Sequence, residues 1–197
     1  MKYTKLAPDA FKKIQMNAGI LASAFTPATG ALTESNILGV TSGGISFAAT
    51  PEYADFGEDI DNCPKNTKEL KRIQDVEVKI SGTFAAMDTA LAKLLMSAAD
   101  IDGTDTTKVT PRKELLTSDF ADIWLIGDYS DHTGATNGGY IAVKMLNALS
   151  TGGFAIQTTD KEKGKFAFEF TGHYSYDAPD TVPYEVYIKA GTAEPTT

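Results

Sequence analysis

Two pairs of closely spaced carboxylates, Asp59 with Asp61 and Asp119 with Asp122, are the residues best placed to do chemistry. Two such acids meeting in a cleft could serve as the acid and base of glycoside hydrolysis. Acids in loops are usually solvated charge, however, and no catalytic pair is assigned. Cys63, in Asp61-Asn62-Cys63-Pro64, would be a nucleophile if His132 or His173 supplied the base, but both lie far away in sequence and a bystander in a loop is expected. The acids of the segment from Asp100 to Asp105 raise a calcium loop. The ligand order, glycine position and terminal glutamate of an EF-hand are missing, so a turn at a helix exit is expected.

Other sites fail on spacing. The glycine pairs beginning at Gly43, Gly138 and Gly152 are not followed by the Lys-Ser or Lys-Thr of a phosphate-cradling loop, and no nucleophile elbow is present. One cysteine and two histidines scattered over the chain do not make a zinc site. No catalytic, cofactor-binding or metal-ligating residue is assigned, and the expected function is not enzymatic.

The elements that would hold such residues come next. The 197 residues, 42% hydrophobic and 22% charged, suit a single globular domain over 1–197. A net charge of −8 opposes tight binding to nucleic-acid phosphates. A single cysteine rules out an intrachain disulfide and fits a reducing compartment. No apolar run approaches the length of a membrane span. Lys12-Lys13 before the apolar stretch from Ala18 to Phe25 imitates a signal peptide, but Gln15 and Asn17 interrupt it and Pro8 and Asp9 precede it, so a first strand is expected over 14–25.

Residues 1–13 read as an arm, 26–36 as a turn, and 37–50 as a glycine-rich segment ending in a strand. Val76, Val78 and Ile80 alternate with Glu77, Lys79 and Ser81, the cleanest strand signal in the chain. Asp88 is placed to cap a helix over 88–99 with Leu91, Leu94, Leu95 and Ala98 in a stripe. Strands follow over 119–129, 140–149, 164–176 and 182–190, the third of them paired with 152–159 in a hairpin across Asp160–Lys163. Phe166, Phe168, Phe170, Tyr174 and Tyr176 share one face of the third of these, and Gly172 suggests a bulge. Between the early strands lies 51–74, a long charged connection with no packing face, where 66–72 could make a helical turn or two capped by Thr67. Residues 191–197 form a tail.

The segments from Ile14 to Phe25, Gly39 to Arg72, Asp75 to Asp100, Lys163 to Asp177 and Val182 to Gly191, in that order, resemble the major tail tube proteins of long, non-contractile-tailed bacteriophages, as found in phages and prophages of Gram-positive bacteria. The resemblance spans most of the chain and rests on the order and character of segments. It implies a mainly β fold (α+β): a β-sandwich or barrel-like pair of antiparallel sheets with one flanking helix. It implies hexameric rings that stack by self-assembly into a tube, assembled in the host cytoplasm and located in the virion tail. Tape measure protein and tail terminator or initiator proteins would be partners, and double-stranded DNA would pass through the lumen without specific binding.

The same resemblance gives the connection 51–74 a role as an arm touching neighbouring subunits, with Tyr53, Phe56, Glu58, Asp59, Asp61, Lys65, Lys68, Lys71 and Arg72 as contact residues. An arm that orders only on assembly would restrain premature polymerisation, and acidic groups on a lumen wall would repel phosphates. The rival expectations are an inner tube subunit of a contractile tail or injection machine, and a β-sandwich module that decorates a capsid or binds a receptor.

Overall fold

The structure, a computed structural model, describes residues 7, 9–15, 17–129 and 138–192. His132, residues 1–6 and 8 of the expected N-terminal arm, and residues 193–197 of the expected tail lie outside the described residues. Among the described residues, the strands are β1 (Ile20–Ala22), β2 (Thr41–Asp55), β3 (Lys71–Phe84), β4 (Ala99–Ile101), β5 (Val109–Pro111), β6 (Ala121–Tyr129), β7 (Gly139–Ser150), β8 (Phe166–Gly172) and β9 (Tyr184–Lys189). The helix α1 spans Thr89–Leu95. The chain is mainly β, as expected.

All pairings are antiparallel. One sheet runs β1-β6-β7-β9 and the other runs β8-β3-β2, with β7 belonging to both. Along one side β7 pairs with β6. Along the other it pairs with β9 through Tyr140–Met145, then with β8 through Leu149 and Ser150. The corner between these partners is a bulge, because Ala121↔Ala148 and Ile123↔Met145 differ by one residue in register. Asn147 takes φ +47 there. Its N–H donates to Asp122 Oδ1 at 3.1 Å and its side-chain amide donates to the His173 carbonyl at 3.0 Å. These bonds offset the cost of a left-handed turn at a residue type that tolerates it. The bend carries one long strand from the first sheet into the second.

The main core fills the space between the sheets, with Val78, Ile80, Phe84, Leu95, Ile123, Met145 and Phe170 fully or almost fully buried. Phe168 lies across Gly82, its partner in register, where a Cβ would come within 2.7 Å of the ring. Glycine at that position gives the ring its seat. A second cluster covers the outer face of the first sheet: Ala22, Phe25, Trp124, Ile126, Tyr140 and Ala142, with Phe25 edge-on to both Trp124 and Tyr140. The turn over 26–36 closes on it through a hydrogen bond from the Tyr140 hydroxyl to the Pro27 carbonyl.

Helix α1 is shorter than expected. Asp88 caps it as expected, accepting the Leu91 N–H at 2.7 Å, but Ser97 at φ +63 ends the run. The strand expected over 14–25 shrinks to β1, since Gly19 at φ +80 turns the chain; Gln15 keeps one isolated bridge to Tyr129. The hairpin expected across Asp160–Lys163 survives only as a bridge between Gln157 and Lys165, because β8 finds its long partners in β3 and β7. The aromatic stripe divides at Gly172: Phe168 and Phe170 are buried, Tyr174 is half-exposed and Tyr176 is 99% exposed. Gly172 makes no bulge. It pairs in register with Val78 and is small because Met145 and the Pro183 carbonyl crowd it. On β9, Tyr184 packs on the core, but Val186 and Ile188 remain open.

Candidate assembly interface

The segment from Pro51 to Gln74, expected as a structureless connection, is strand at both ends, 51–55 and 71–74, with a folded tip between them. β2 continues to Asp55 and β3 begins at Lys71, so the two form one hairpin of 15- and 14-residue strands. The register runs from Ile45↔Gly82 out to Asp55↔Lys71. Gly43 and Gly44, at φ +84 and +89, absorb the offset at its base. The pairing of β3 with β8 ends at Val78, so every row from Thr50↔Glu77 outward has only two strands. This ribbon projects roughly 17 Å beyond the sheet before the tip begins. Tyr174, whose hydroxyl accepts the Val76 N–H at 3.1 Å, braces the root.

The inner-face pattern runs on along the ribbon. Ala49↔Val78 and Pro51↔Val76 are succeeded, past a one-residue bulge, by Tyr53↔Ile73. Val78 is fully buried and Val76 nearly so, but Tyr53 and Ile73 are 53% and 61% exposed. Phe56 and Ile60 at the tip are similarly open. An isolated two-stranded ribbon is marginal in water, and four large apolar side chains on one uncovered arm make an interaction surface by composition.

The tip, 56–70, is folded. Asp55 organises it: one carboxylate oxygen accepts the Gly57 N–H at 3.0 Å and the other the Asn66 N–H at 2.9 Å. These two bonds hold the Asp55 carboxyl below its usual range. Phe56 N–H bonds the Leu70 carbonyl, and Asn62 and Asn66 turn the chain at φ 60 and 61. Cys63 is half-buried inside, with Sγ 3.5 Å from the Thr67 hydroxyl, and Gly57 packs so closely that a Cβ would meet Leu70 and Cys63 at 3.0 and 3.1 Å. The expected helical turns over 66–72 reduce to one turn, Leu70 N–H to Thr67 carbonyl. Thr67 does not cap; its hydroxyl donates back to the Pro64 carbonyl.

Every residue expected to make subunit contacts falls on this arm. Tyr53, Lys71 and Arg72 lie on the ribbon, with the Lys71 ammonium 5.1 Å from the Tyr53 ring centre. Phe56, Glu58, Asp59, Asp61, Lys65 and Lys68 lie on the tip and are exposed. Lys65 and Glu58 approach to 3.9 Å, and Lys68 and Glu69 to 3.4 Å; both pairs are open to solvent and worth little. Sequence reading missed Ile60 and Ile73, hidden among charges, and Asp55, whose role depends on a loop geometry that no local pattern announces.

No family model matches the chain, and no curated protein matches it. Among solved structures, a chain in the virion of a native gene transfer agent particle matches with a TM-score of 0.42 and 8% identity, over 88% of this chain and 96% of that one.

The acids considered for chemistry have other tasks. Asp119, almost fully buried, takes an Arg112 guanidinium nitrogen at 2.6 Å and the Leu116 N–H at 2.8 Å. The backbone bond first, then Arg112, holds its carboxyl below the usual range. Asp122 instead pairs with Lys144 at 2.9 Å and supports the β7 corner. Asp100 lies in β4, and Asp102, accepting the Thr104 and Asp105 N–H groups, shapes the turn of the β4–β5 hairpin. Among the described residues, no three His, Cys, Asp or Glu side chains cluster as metal ligands, and no helix is long and apolar enough to cross a membrane.

A second feature lies between the sheets. Where β2 faces β6 and β7, the sandwich opens into a cleft of about 270 Å³, walled by Ile45, Phe47, Leu125, Ile141 and Val143 with Gln15 at one side. Val186 and Ile188 of β9 stand opposite Val143 and Ile141 in register and continue the same apolar face to the sheet edge.

Proposed function

We propose that this chain is a structural subunit that self-assembles into stacked hexameric rings forming a phage tail tube, a conduit for genome delivery, and that it acts without catalysis. The observation that carries this reading is the projecting β2–β3 hairpin, with Tyr53, Phe56, Ile60 and Ile73 uncovered. A ribbon that leaves its own sheet with apolar side chains exposed is stabilised when another molecule covers it. Two further features support association with copies of itself. β2 and β9 are edge strands with unpaired backbone groups, and open edges invite strand pairing. The arm and the β9 edge lie on different parts of the surface, so a contact between them is heterologous, the kind that closes rings or extends filaments.

The proposed site is the virion tail, with assembly in the bacterial cytoplasm. Tape measure and terminator or initiator proteins are the proposed partners, and DNA passes without specific binding. The net charge of −8 suits a wall that repels phosphates. Negative-stain microscopy of purified protein over a concentration series tests the reading. Rings or tubes with sixfold symmetry are expected; a monomer at every concentration, with tape measure and initiator proteins added, would refute it.

A further inference from the structure

The arm carries apolar side chains that the described residues of its own chain leave uncovered, and the cleft between the sheets, walled largely by apolar side chains, is a space that those residues leave unfilled. We infer that the cleft is the receptor for the arm tip of a second copy of this chain, with Phe56 as the inserted anchor and Ile60, Tyr53 and Ile73 covering Val186 and Ile188 at the rim. The inference rests on the reading of the chain as a self-assembling subunit, and it names the surface that receives the arm.

Chemistry and geometry match. None of the residues walling the cleft is ionisable, so it offers no countercharge to a charged ligand; its side chains are apolar apart from Gln15, while Gln15 and backbone groups leave its open surface more polar than apolar. At about 270 Å³ it is small for a drug-sized ligand and ample for one or two side chains. Phe56, 65% exposed, is the one aromatic side chain on the folded tip, and Asp55 and the Phe56–Leu70 backbone bond fix its base. A pre-built tip loses little entropy on docking. The rim is open as well: Val186 is 49% exposed and Ile188 64%.

The arm does not reach its own cleft. Phe47 in the cleft wall and Asp55 at the foot of the tip lie eight residues apart on one extended strand, which holds them up to roughly 27 Å apart. Insertion is therefore intermolecular, and because donor and receptor differ, each subunit offers one arm and one cleft. Such a contact propagates from copy to copy.

Cross-linking in the full chain tests this. In a Cys63→Ser background, Asp59→Cys on the exposed tip and Ile188→Cys are placed in one chain, with Phe56 kept, and treated with a short bis-maleimide at the concentration where the protein assembles. A ladder of linked subunits is expected, with single-cysteine chains giving none. Separately, Phe56→Asp and Ile188→Asp should each raise the concentration needed for assembly by about tenfold or more, with unchanged thermal unfolding. Mixed together, the two variants should form linked pairs through the remaining intact arm and cleft, but no polymer. Tubes that form without the ladder, or that tolerate both aspartates, overturn this inference and leave the tube reading standing. A wild-type chain that never assembles overturns both.

Discussion

The Asp55 carboxylate accepts the N–H of Asn66, eleven residues ahead, at 2.9 Å, while its other oxygen holds Gly57. One side chain thus ties both limbs of the tip to the end of β2. In the single chain the arm is already a hydrogen-bonded hairpin with a small interior of Gly57, Cys63 and Leu70.

Replacing Asp55 with alanine removes both bonds and should free the tip while sparing the sandwich. Limited proteolysis of Asp55→Ala is expected to cut within 56–70 several-fold faster than in the wild type, with unchanged thermal unfolding. The pH dependence has a definite sign. The folded-state value lies below the unfolded one, near 3.9. The stabilisation is therefore present above that value and lost as pH falls through the lower folded value. Wild-type tip cleavage by an acid-active protease should rise in that window, and Asp55→Ala should show no such step.

At the other end of the hairpin, Gly82 supports Phe168. A valine there would drive Cβ to within 2.7 Å of the ring, and Phe168 is only 3% exposed, with no room to retreat. Overpacking of this kind costs about 1–3 kcal/mol. Urea unfolding of Gly82→Val should show the midpoint falling by that equivalent, whereas Gly103→Ala, on an open turn with nothing within 4 Å of its Cβ position, should be near neutral.

How far the sequence announced this structure depends on the reach of each signal. Val76, Val78 and Ile80 were legible because alternation with charges is a local pattern, and so was the Asp88 cap, which reaches only to Leu91. The ribbon was not. Beyond Pro51 and before Val76 the alternation shrinks to Tyr53 and Ile73, each set among charged and polar neighbours, too short a pattern to mark a strand although the ladder continues. The arm therefore looked like a loop. The residues that the resemblance named for subunit contacts do lie on this projecting arm. The hairpin expected at Asp160–Lys163 failed because pairing partners were chosen by long-range packing: β8 sits between β3 and β7 to bury Phe168 and Phe170, a choice with no trace in the turn.

The buried acid of the Arg112 cluster makes another prediction. Asp119 has a side chain 3% exposed and meets Arg112 at 2.6 Å. Arg112→Ala leaves that carboxylate with the Leu116 N–H alone, and should cost about 3 kcal/mol, because removing one member of a buried pair strands the other. Asp119→Asn should cost less. Since the Asp119 carboxyl is held low, its contribution holds above about pH 3.9 and fades as pH falls through the folded value. Chemical unfolding from pH 6 to pH 3 should show a shallower loss of stability in Asp119→Asn than in the wild type. Parallel slopes would remove Asp119 from the acid response.

Tyr53 and Ile73 allow stability and association to be separated. They face each other across the ribbon, where Val76 one step inward is buried, yet both are more than half exposed. If the apolar pair existed to stabilise the monomer, Tyr53→Asp with Ile73→Lys would lower its unfolding midpoint. Exposed substitutions usually shift stability by less than about 0.5 kcal/mol, and the new charges would attract across the strand pair, so little change in the monomer is expected. Covered by a neighbouring copy, the same two charges would be desolvated, and their cost would appear in association alone. Sedimentation velocity over a concentration series should show the double variant arrested as a monomer at concentrations where the wild type assembles, with overlapping melting curves for the two proteins.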